Sequence, residues 1–254
     1  MNIPDPTKRF SDRVENYIKY RPSYPPEVIA FLEQEGNLPD NAAVADIGSG
    51  TGIFTGLLLQ KSYAVYAVEP NEAMQSAAIR QFKNNKRFHA INGTAEATTL
   101  APKSVDLIVC AQAFHWFDAK KTQVEFKRIL KGEGYVALIW NNRDAVIDDF
   151  SIAYESILKN DAIDYNKVNH RNISDIDFKS FFKDGLYQTV KYPNVQIFDE
   201  AGFLGRAFSS SYVPQEGTEE GEKFKELLKG MFAMYNKNGH VSFHYQTEIY
   251  LGKV

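Results

Sequence analysis

The sequence predicts an α/β fold, in which a doubly wound and mostly parallel sheet carries helices on both faces. Between residues 42 and 141, apolar runs of strand length alternate with helical patterns, which is typical of consecutive βαβ units. These runs are almost continuously hydrophobic, as expected for strands that are covered on both faces. A glycine-rich stretch follows the first run, at the end of the strand where sheets of this kind bind their ligands.

Five strands and three helices are predicted in this region from the apolar runs and the helical periodicity. The predicted strands cover residues 43–47, 64–68, 87–92, 105–110 and 134–140. The predicted helices cover residues 52–61, 71–81 and 120–130, and the glycine-containing residues 131–134 are predicted to stop the last one.

The flanking segments follow other patterns. Residues 6–35 predict two helices broken by the prolines of residues 22–26, and the second helix is expected to pack on the sheet. Residues 144–182 are polar and helical, without the βαβ alternation. Residues 188–198 and 241–251 are predicted strands, and the apolar-polar alternation of the second favours antiparallel strands that close the sheet edge.

The composition excludes several classes of partner. The chain of 254 residues carries 29 Lys and Arg against 32 Asp and Glu, with a net charge of −3, so we expect no nucleic-acid partner. No apolar stretch approaches the roughly 20 residues of a membrane span, and residues 1–13 lack the layout of a signal peptide. We therefore expect a cytoplasmic protein with no membrane partner.

The cysteine and histidine content predicts no metal site. The single Cys110 ends an apolar run and is expected to be a buried small hydrophobe rather than a nucleophile. His170, His240 and His244 are scattered without the spacing of metal ligands.

The glycine-rich stretch and a later acid predict a nucleotide-type cofactor site. Gly48, Gly50 and Gly52 follow the first predicted strand, and Glu69 closes the second. Glycine permits backbone conformations that a Cβ forbids and lets a ligand approach closely. An acid about 20 residues further along the chain can accept both hydroxyls of a ribose.

The spacing favours a cofactor without phosphate. The third glycine comes one residue early for a dinucleotide fingerprint, Ile53 stands where that fingerprint needs glycine, and no Lys follows to form a phosphate loop. Asp46 would repel a pyrophosphate but attract an ammonium group. S-adenosylmethionine carries an ammonium, a sulfonium and a ribose but no phosphate, and is the favoured cofactor. A nicotinamide or flavin cofactor and a merely structural turn are the alternatives.

Several motifs resemble one enzyme family. Residues 44–52 resemble motif I of the class I S-adenosylmethionine-dependent methyltransferases, and residues 68–71 with Met74 resemble their second motif. The sequences YRPSYP at residues 20–25 and QAFHWF at residues 112–117 resemble a subgroup of small-molecule methyltransferases that includes the trans-aconitate methyltransferases.

The resemblance runs from about Phe10 to Asn142 and implies a Rossmann-like sheet of seven strands with an antiparallel edge. It implies a single domain over residues 1–254, with N-terminal lid helices in residues 1–40 and a cofactor-binding core in residues 41–142. Residues 143–254 would hold a substrate-shaping helical insertion and the last two strands.

Candidate cofactor residues follow the strands, because ligands of open α/β sheets lie outside the carboxyl ends of the strands. A solvated helix cap is the alternative role for Glu69, and an ordinary turn is the alternative for residues 94–96, which the resemblance places along the adenine edge. The predicted cofactor-binding residues are Asp46, Gly48, Ser49, Gly50, Gly52, Glu69, Pro70, Asn71, Met74, Thr94, Ala95, Glu96, Gln112, Ala113 and Arg21.

Arg21 offers a planar fork suited to a carboxylate, either of the cofactor or of an acidic substrate, with a surface salt bridge as the alternative. In the resembled subgroup, the segment around Tyr17, Tyr20 and Arg21 folds over the cofactor as a lid. The predicted substrate-binding residues are Tyr17, His115, Trp116, Asn142, Arg143 and Tyr212.

The aromatic residues after the fourth strand could bound a cationic sulfonium and exclude water, although Phe114 and Phe117 could equally belong to the core. For His115, packing, substrate contact and a role as general base remain open. No residue is assigned as catalytic, because displacement at a sulfonium depends on alignment and desolvation. A carboxylate acceptor, as in the resembled aconitate enzymes, would need no base.

The expected function is methyl transfer from S-adenosylmethionine to a small molecule. The resemblance implies that this acceptor is a carboxylic acid. A nicotinamide-dependent oxidoreductase and a non-catalytic cofactor-binding protein are the alternatives.

Overall fold

A computed structural model describes residues 13–163, 165 and 173–254. The strands are β1 (Ala43–Ile47), β2 (Ala64–Val68), β3 (Phe88–Ile91), β4 (Val105–Ala111), β5 (Leu130–Arg143), β6 (Tyr187–Phe198) and β7 (Val241–Lys253). The helices are α1 (Val14–Tyr20), α2 (Pro26–Glu35), α3 (Ile53–Leu59), α4 (Glu72–Phe82), α5 (Ala119–Ile129), α6 (Asp149–Asp161), α7 (Asp175–Phe181), α8 (Glu200–Phe208) and α9 (Glu219–Tyr235).

Within the described residues, the strands form a seven-stranded sheet in the order β3-β2-β1-β4-β5-β7-β6. Strands β1 to β5 pair in parallel, and β7 pairs antiparallel with both β5 and β6. The predicted α/β fold with an antiparallel edge is confirmed. The last strand of the chain lies inside the sheet, and β6 forms the edge.

The predicted strands are all present and α5 ends close to its predicted stop, but the fifth strand begins earlier than predicted. The helix ends at Ile129 and β5 begins at Leu130, so residues 131–134 belong to the strand. Val105 pairs with Leu130 and Leu107 with Tyr135, so the intervening residues of β5 form an irregularity in the ladder. The positive φ of 54° at Gly132 accommodates this distortion.

Helices α8 and α9, which connect β6 to β7, were not predicted. Their local signals are mixed, because glycines at positions 202, 205, 221 and 230 lower helix propensity. Thr218 nevertheless caps α9 by accepting a hydrogen bond from the Gly221 N–H, and three acidic residues follow in the first turn. Helices α6 and α7 lie in the segment predicted to be helical.

Three buried clusters form the core. Two cover the opposite faces of the sheet, and the third joins α6, α8, α9 and β7 around Phe203 and Phe243. Helix α2 buries Val28, Ile29 and Leu32, as predicted, whereas α1 buries none of its residues. Cys110 is fully buried in the core, and its burial raises the pKa of the thiol.

Across the ranges that the structure describes, no helix is both long and apolar enough to cross a bilayer. The same ranges contain no group of three His, Cys, Asp or Glu side chains placed to hold a metal ion. His170 lies outside the described residues.

Candidate cofactor site

The loop after β1 turns sharply back toward β2. The backbone N–H groups of Gly48 and Ser49 donate to the Val68 carbonyl, with N to O distances of 2.9 and 3.1 Å. Gly48 and Gly50 have φ values of 68° and 57°, which a side chain would strain. A Cβ at Gly48 would lie 2.6 Å from the Ala113 Cβ, whereas at Gly50 the nearest atom is a methionine sulfur 3.6 Å away. The loop therefore presents bare main chain at Gly50.

Two adjoining cavities open beside this loop. The larger one, of about 290 Å³, is lined by Tyr17, Gly48, Gly50, Glu69, Pro70, Asn71, Met74, Thr94, Ala95, Glu96, Ala111, Gln112, Ala113, Trp116 and Phe117. The smaller one, of about 40 Å³, is lined by Tyr17, Arg21, Pro22, Tyr24, Asp46, Gly48, Ser49, Ile53, Phe54, Ala111 and Gln112. Both lie at the carboxyl ends of β1, β2 and β4, where the sequence predicts the ligand.

Glu69 ties the glycine loop to the end of β2. Its carboxylate accepts hydrogen bonds from the N–H of Gly50 and from the N–H of Asn71, both at 2.8 Å. Burial raises the pKa of this carboxyl, and the two backbone donors partly oppose that rise. Since each carboxylate oxygen can accept a second hydrogen bond, the side chain can still receive two ribose hydroxyls.

Asp46 is a fully buried acid at the end of β1. The Thr55 hydroxyl donates to its Oδ2 at 2.6 Å, while its Oδ1 has no hydrogen-bond partner among the described residues. Burial raises the pKa of Asp46 to about 7, and the nearby charge of Glu69 raises it further. The unpartnered oxygen suits a ligand that carries an ammonium group.

Arg21 closes the smaller cavity on the side opposite the sheet. Its Nη2 donates to the Ser209 carbonyl at 2.9 Å, and its guanidinium carbon lies 4.9 Å from the centre of the Tyr17 ring. The buried Nε has no acceptor, and no described carboxylate lies within 4.0 Å of the side chain. The structure therefore shows no surface salt bridge at Arg21 within its described part.

The larger cavity is lined by both polar and aromatic residues. Residues 94–96 line it, and Asn71 both lines it and caps α4 by accepting the Met74 N–H at 3.0 Å. Phe117 faces the cavity, whereas Phe114 is buried in the core with its ring centre 4.6 Å from that of Phe181. Of the two roles left open for these aromatic residues, Phe117 takes the place at the cavity and Phe114 the place in the core.

Several predicted site residues do not line either cavity. Gly52 begins α3, and a Cβ there would lie 2.6 Å from the Phe82 ring, so its role is helix packing. His115 accepts a hydrogen bond at Nδ1 from the Trp140 indole N–H at 3.4 Å, which favours a positioning role. Asn142 also lies outside both linings.

Arg143 and Tyr212 lie outside the linings of both cavities. Arg143 forms an ion pair with Glu155, and its guanidinium carbon lies 4.8 Å from the centre of the Tyr154 ring. The Tyr212 ring packs against Tyr165 with 5.0 Å between ring centres. Arg143 is thus held by residues of α6, and Tyr212 packs on Tyr165, beyond the residues that line the two cavities.

Sequence reasoning missed some lining residues, namely Ala111, Pro22, Tyr24, Ile53 and Phe54. Ala111 ends β4, so the rule that ligands lie at the carboxyl ends of strands could have identified it. Pro22 and Tyr24 reach the site only because the segment after α1 crosses the sheet edge. The Asn141 amide fixes that segment by donating to the Ser23 carbonyl at 3.2 Å.

Comparisons with known proteins identify the family. A methyltransferase domain model matches residues 45–138. A putative methyltransferase from Dictyostelium discoideum is 30% identical over 215 residues, which cover 79% of this chain and 78% of that protein. The chain belongs to the class I S-adenosylmethionine-dependent methyltransferases. The cofactor of this family is S-adenosylmethionine, as predicted, which sets aside the nicotinamide, flavin and structural-turn alternatives.

Other relatives match a shorter segment. An uncharacterized methyltransferase from Mycobacterium tuberculosis is 39% identical over 144 residues, which cover 55% of each chain. The match thus spans about half the length of such curated relatives. A solved structure of a putative type II methyltransferase from Anaeromyxobacter dehalogenans has a TM-score of 0.67 at 20% identity and covers 92% of this chain and 98% of that one. It confirms the Rossmann-like methyltransferase fold.

Proposed function

We propose that this protein transfers the methyl group of S-adenosylmethionine to a small molecule, a carboxylic acid. The observation that carries the proposal is the placement of two buried acids, Glu69 in the larger cavity and Asp46 in the smaller one, on either side of the bare glycine loop. These acids match the ribose and the ammonium of the cofactor, and neither position suits a pyrophosphate.

Each part of the site has a defined task in cofactor binding. Glu69 would accept the ribose hydroxyls, and the unpartnered Oδ1 of Asp46 would accept a hydrogen bond from the ammonium. The buried Nε of Arg21 would donate to the methionine carboxylate. The bound cofactor supplies a methyl group on a positively charged sulfur, which is already activated for displacement.

The side chains around the larger cavity favour alignment over acid-base chemistry. Trp116 and Phe117 exclude water and can face a cationic sulfur. In the part of the chain that the structure describes, no histidine lines either cavity, and the Nδ1 of His115 is occupied by the Trp140 indole. An acceptor that is already an anion needs no base, which supports a carboxylate.

The experiment is a transfer assay with methyl-labelled S-adenosylmethionine and a panel of small carboxylic acids, each paired with its amide. We expect label in methyl esters of at least one acid and none in the amides, detected by mass spectrometry. Label only in non-acidic acceptors would contradict the carboxylate assignment. Absence of transfer to every acceptor, together with absence of cofactor binding, would contradict the function itself.

A matched pair of glycine variants separates a blocked site from a strained backbone. Gly50→Val places a side chain in the larger cavity and should abolish both binding and transfer. Gly132→Val imposes comparable strain, since φ is 54° there, but its Cβ would meet nothing within 4 Å. The second variant should bind the cofactor normally, and circular dichroism would verify that both fold.

A further inference from the structure

Beside the smaller cavity lies a group of basic and phenolic side chains, here called the arginine–tyrosine cluster. It is brought together by the segment after α1, by α6, by α8 and by β7. Its members are Arg21, Arg143, Arg206, Tyr154, Tyr212 and Tyr245.

Arg206 carries a buried charge that no acid balances. The residue is only 6% exposed. Its Nε donates to the Tyr245 hydroxyl and its Nη1 to the Ser210 hydroxyl, both at 3.2 Å. Among the residues that the structure describes, no carboxylate lies within ion-pair distance. Buried charges in proteins are normally paired with an opposite charge, because their desolvation is costly.

The neighbouring arginines show how unusual this arrangement is. Arg143 is equally enclosed but has its acid, Glu155, in direct contact. Arg21 has only a carbonyl and the Tyr17 ring as partners, and burial together with the charge of Arg206 lowers its pKa. Because the proposed function pairs Arg21 with the methionine carboxylate of the cofactor, Arg206 is the arginine of the cluster that has no carboxylate among the described residues.

Helix α8 does not supply the missing negative charge. Arg206 lies in its last turn, where the helix dipole favours cations. The dipole amounts to about half a charge, and its effect falls off within one turn. Arg206 also does not interact alone with this negative end of the helix, because the Arg13 and Arg21 side chains donate to carbonyls of the loop that follows α8.

Hydrogen-bond donors in the cluster also lack acceptors. The Tyr154 side chain is 2% exposed, and its hydroxyl has no hydrogen-bond partner among the residues that the structure describes. Burial raises the pKa of Tyr154, so the hydroxyl stays protonated and able to donate. The buried Nε of Arg21 also lacks an acceptor among the described residues, but it is the donor proposed for the methionine carboxylate of the cofactor. The positive charge of Arg206 together with the unused O–H donor of Tyr154 is the chemistry that binds an oxyanion.

We propose that Arg206 and Tyr154 form a subsite for an oxyanion, a carboxylate or a phosphate, that is carried by the methyl acceptor. Arg21 connects this subsite to the cofactor site, because it lines the smaller cavity together with Asp46 and Gly48 and lies close enough to Arg206 for that charge to lower its pKa. An anionic group held there anchors the acceptor at the cofactor site. The inference rests on the proposed methyl transfer for the identity of the anion's carrier.

The test measures anion binding without S-adenosylmethionine, so that it can fail or succeed independently of methyl transfer. The melting temperature is recorded in chloride at constant ionic strength while inorganic phosphate, succinate or acetate replaces chloride. We expect phosphate or succinate to raise the melting temperature of the wild-type protein and to give a saturable apparent Kd. The more effective of the two identifies the oxyanion as phosphate or carboxylate.

Arg206→Met and Tyr154→Phe should weaken that apparent Kd by about tenfold or more, because each removes a donor to a charged group. Without added anion, Arg206→Met should melt no lower than the wild type, since it removes an unbalanced buried charge. Arg80→Met and Tyr250→Phe, which lie outside the cluster, should respond to anions as the wild type does.

Equal anion responses in the wild type and both cluster variants would overturn the subsite, whatever the transfer assay shows. If Arg206→Met does not fold, Tyr154→Phe decides alone, because it removes only a hydroxyl that has no partner. Once an acceptor is known, the same two variants should raise its KM while S-adenosylmethionine affinity stays unchanged.

Discussion

At the scale of single residues, we propose that Asp46 couples cofactor binding to pH. Its carboxyl is fully buried and has a pKa of about 7, so a large fraction is protonated just below neutrality. Only the ionised form attracts an ammonium group. Asp46 lines the smaller cavity, where we propose that the ammonium of the cofactor binds, and its Oδ1 has no partner among the described residues.

The affinity for S-adenosylmethionine should therefore fall as the pH drops from about 7.5 to about 5. A single protonation limits the loss to about tenfold per pH unit below the pKa. Isothermal titration calorimetry over this range measures it, with Asp46→Asn as the control that binds weakly at every pH. A wild-type profile as flat as that of the variant would contradict the role of Asp46.

The same pKa predicts the sign of a stability effect. Because the folded-state pKa lies above the unfolded value of about 3.9, the folded state holds its proton more tightly. The stability from this group is complete at acid pH and is lost as the pH rises through about 7. Asp46→Asn should thus raise the urea midpoint more at pH 8 than at pH 5, and the reverse order would refute the assignment.

Glu69 orients the glycine loop through two backbone hydrogen bonds, and we propose that the same carboxylate accepts the ribose hydroxyls. Glu69→Gln places an amide N–H₂ against a backbone N–H donor and removes the charge. We expect S-adenosylmethionine affinity to fall at least about tenfold, the scale of a lost charged hydrogen bond. Glu72→Gln, an exposed change in the next helix, is the calorimetric control. Unchanged affinity in Glu69→Gln would exclude the ribose contact.

At the scale of elements, α1 is held over the site by contacts to α8 rather than by a core of its own. The Tyr20 ring packs directly on Gly205, where a Cβ would lie 2.1 to 2.6 Å from ring atoms. The Gln196 amide donates to the Tyr20 carbonyl at 3.1 Å, and Arg21 donates to a carbonyl after α8. These contacts place Tyr17 and Arg21 at the cavities.

Gly205→Ala should displace α1 without unfolding the protein. Alanine improves the helix propensity of α8 by up to about 1 kcal/mol, but its methyl group requires the Tyr20 ring to move. We expect an unchanged or higher melting temperature, weaker binding of S-adenosylmethionine and faster proteolysis near residues 13–21. Gly230→Ala in α9 provides the same helical gain with nothing within 4 Å. If both variants bind alike, α1 does not depend on this contact.

The elements themselves could be predicted where the sequence has a strong local period. The limits of β1 and β2 agree with prediction, because continuous apolar runs between turn residues permit few alternatives. The helices α8 and α9 were not predicted because glycines interrupt their helical pattern. Packing explains the glycines at positions 202, 205 and 221, as at Gly205 under Tyr20, whereas a Cβ at Gly230 would meet nothing within 4 Å.

At the scale of the whole molecule, one acid links α5 to the loop after β3. Glu125 accepts hydrogen bonds from the Thr98 N–H and hydroxyl, and it forms an ion pair with Arg128 at 2.7 Å. Arg128 also donates to the Leu100 carbonyl at 2.8 Å. The Arg128 hydrogen bond and the Thr98 donors hold the pKa of Glu125 at about 2, well below its ordinary range.

This lowered pKa predicts acid sensitivity of the whole fold. The stability from Glu125 is complete above its unfolded pKa of about 4.3 and is lost as the pH falls toward about 2. Glu125→Gln should lower the free energy of unfolding near pH 6, and its difference from the wild type should shrink below pH 4. Urea unfolding followed by circular dichroism measures both. Glu226→Gln, an exposed ion-pair control, should show little effect at either pH.

The sequence alone determined the α/β fold, the glycine loop and the positions of Asp46 and Glu69 at the ends of the first two strands. Periodicity, turn chemistry and strand-end position are local properties of the chain. Only the tertiary structure placed β7 between β5 and β6, set Tyr20 on Gly205 and gathered Arg206 near both Tyr154 and Arg21. Those contacts join segments far apart in the chain, and they depend on how whole surfaces fit together, which no local pattern specifies.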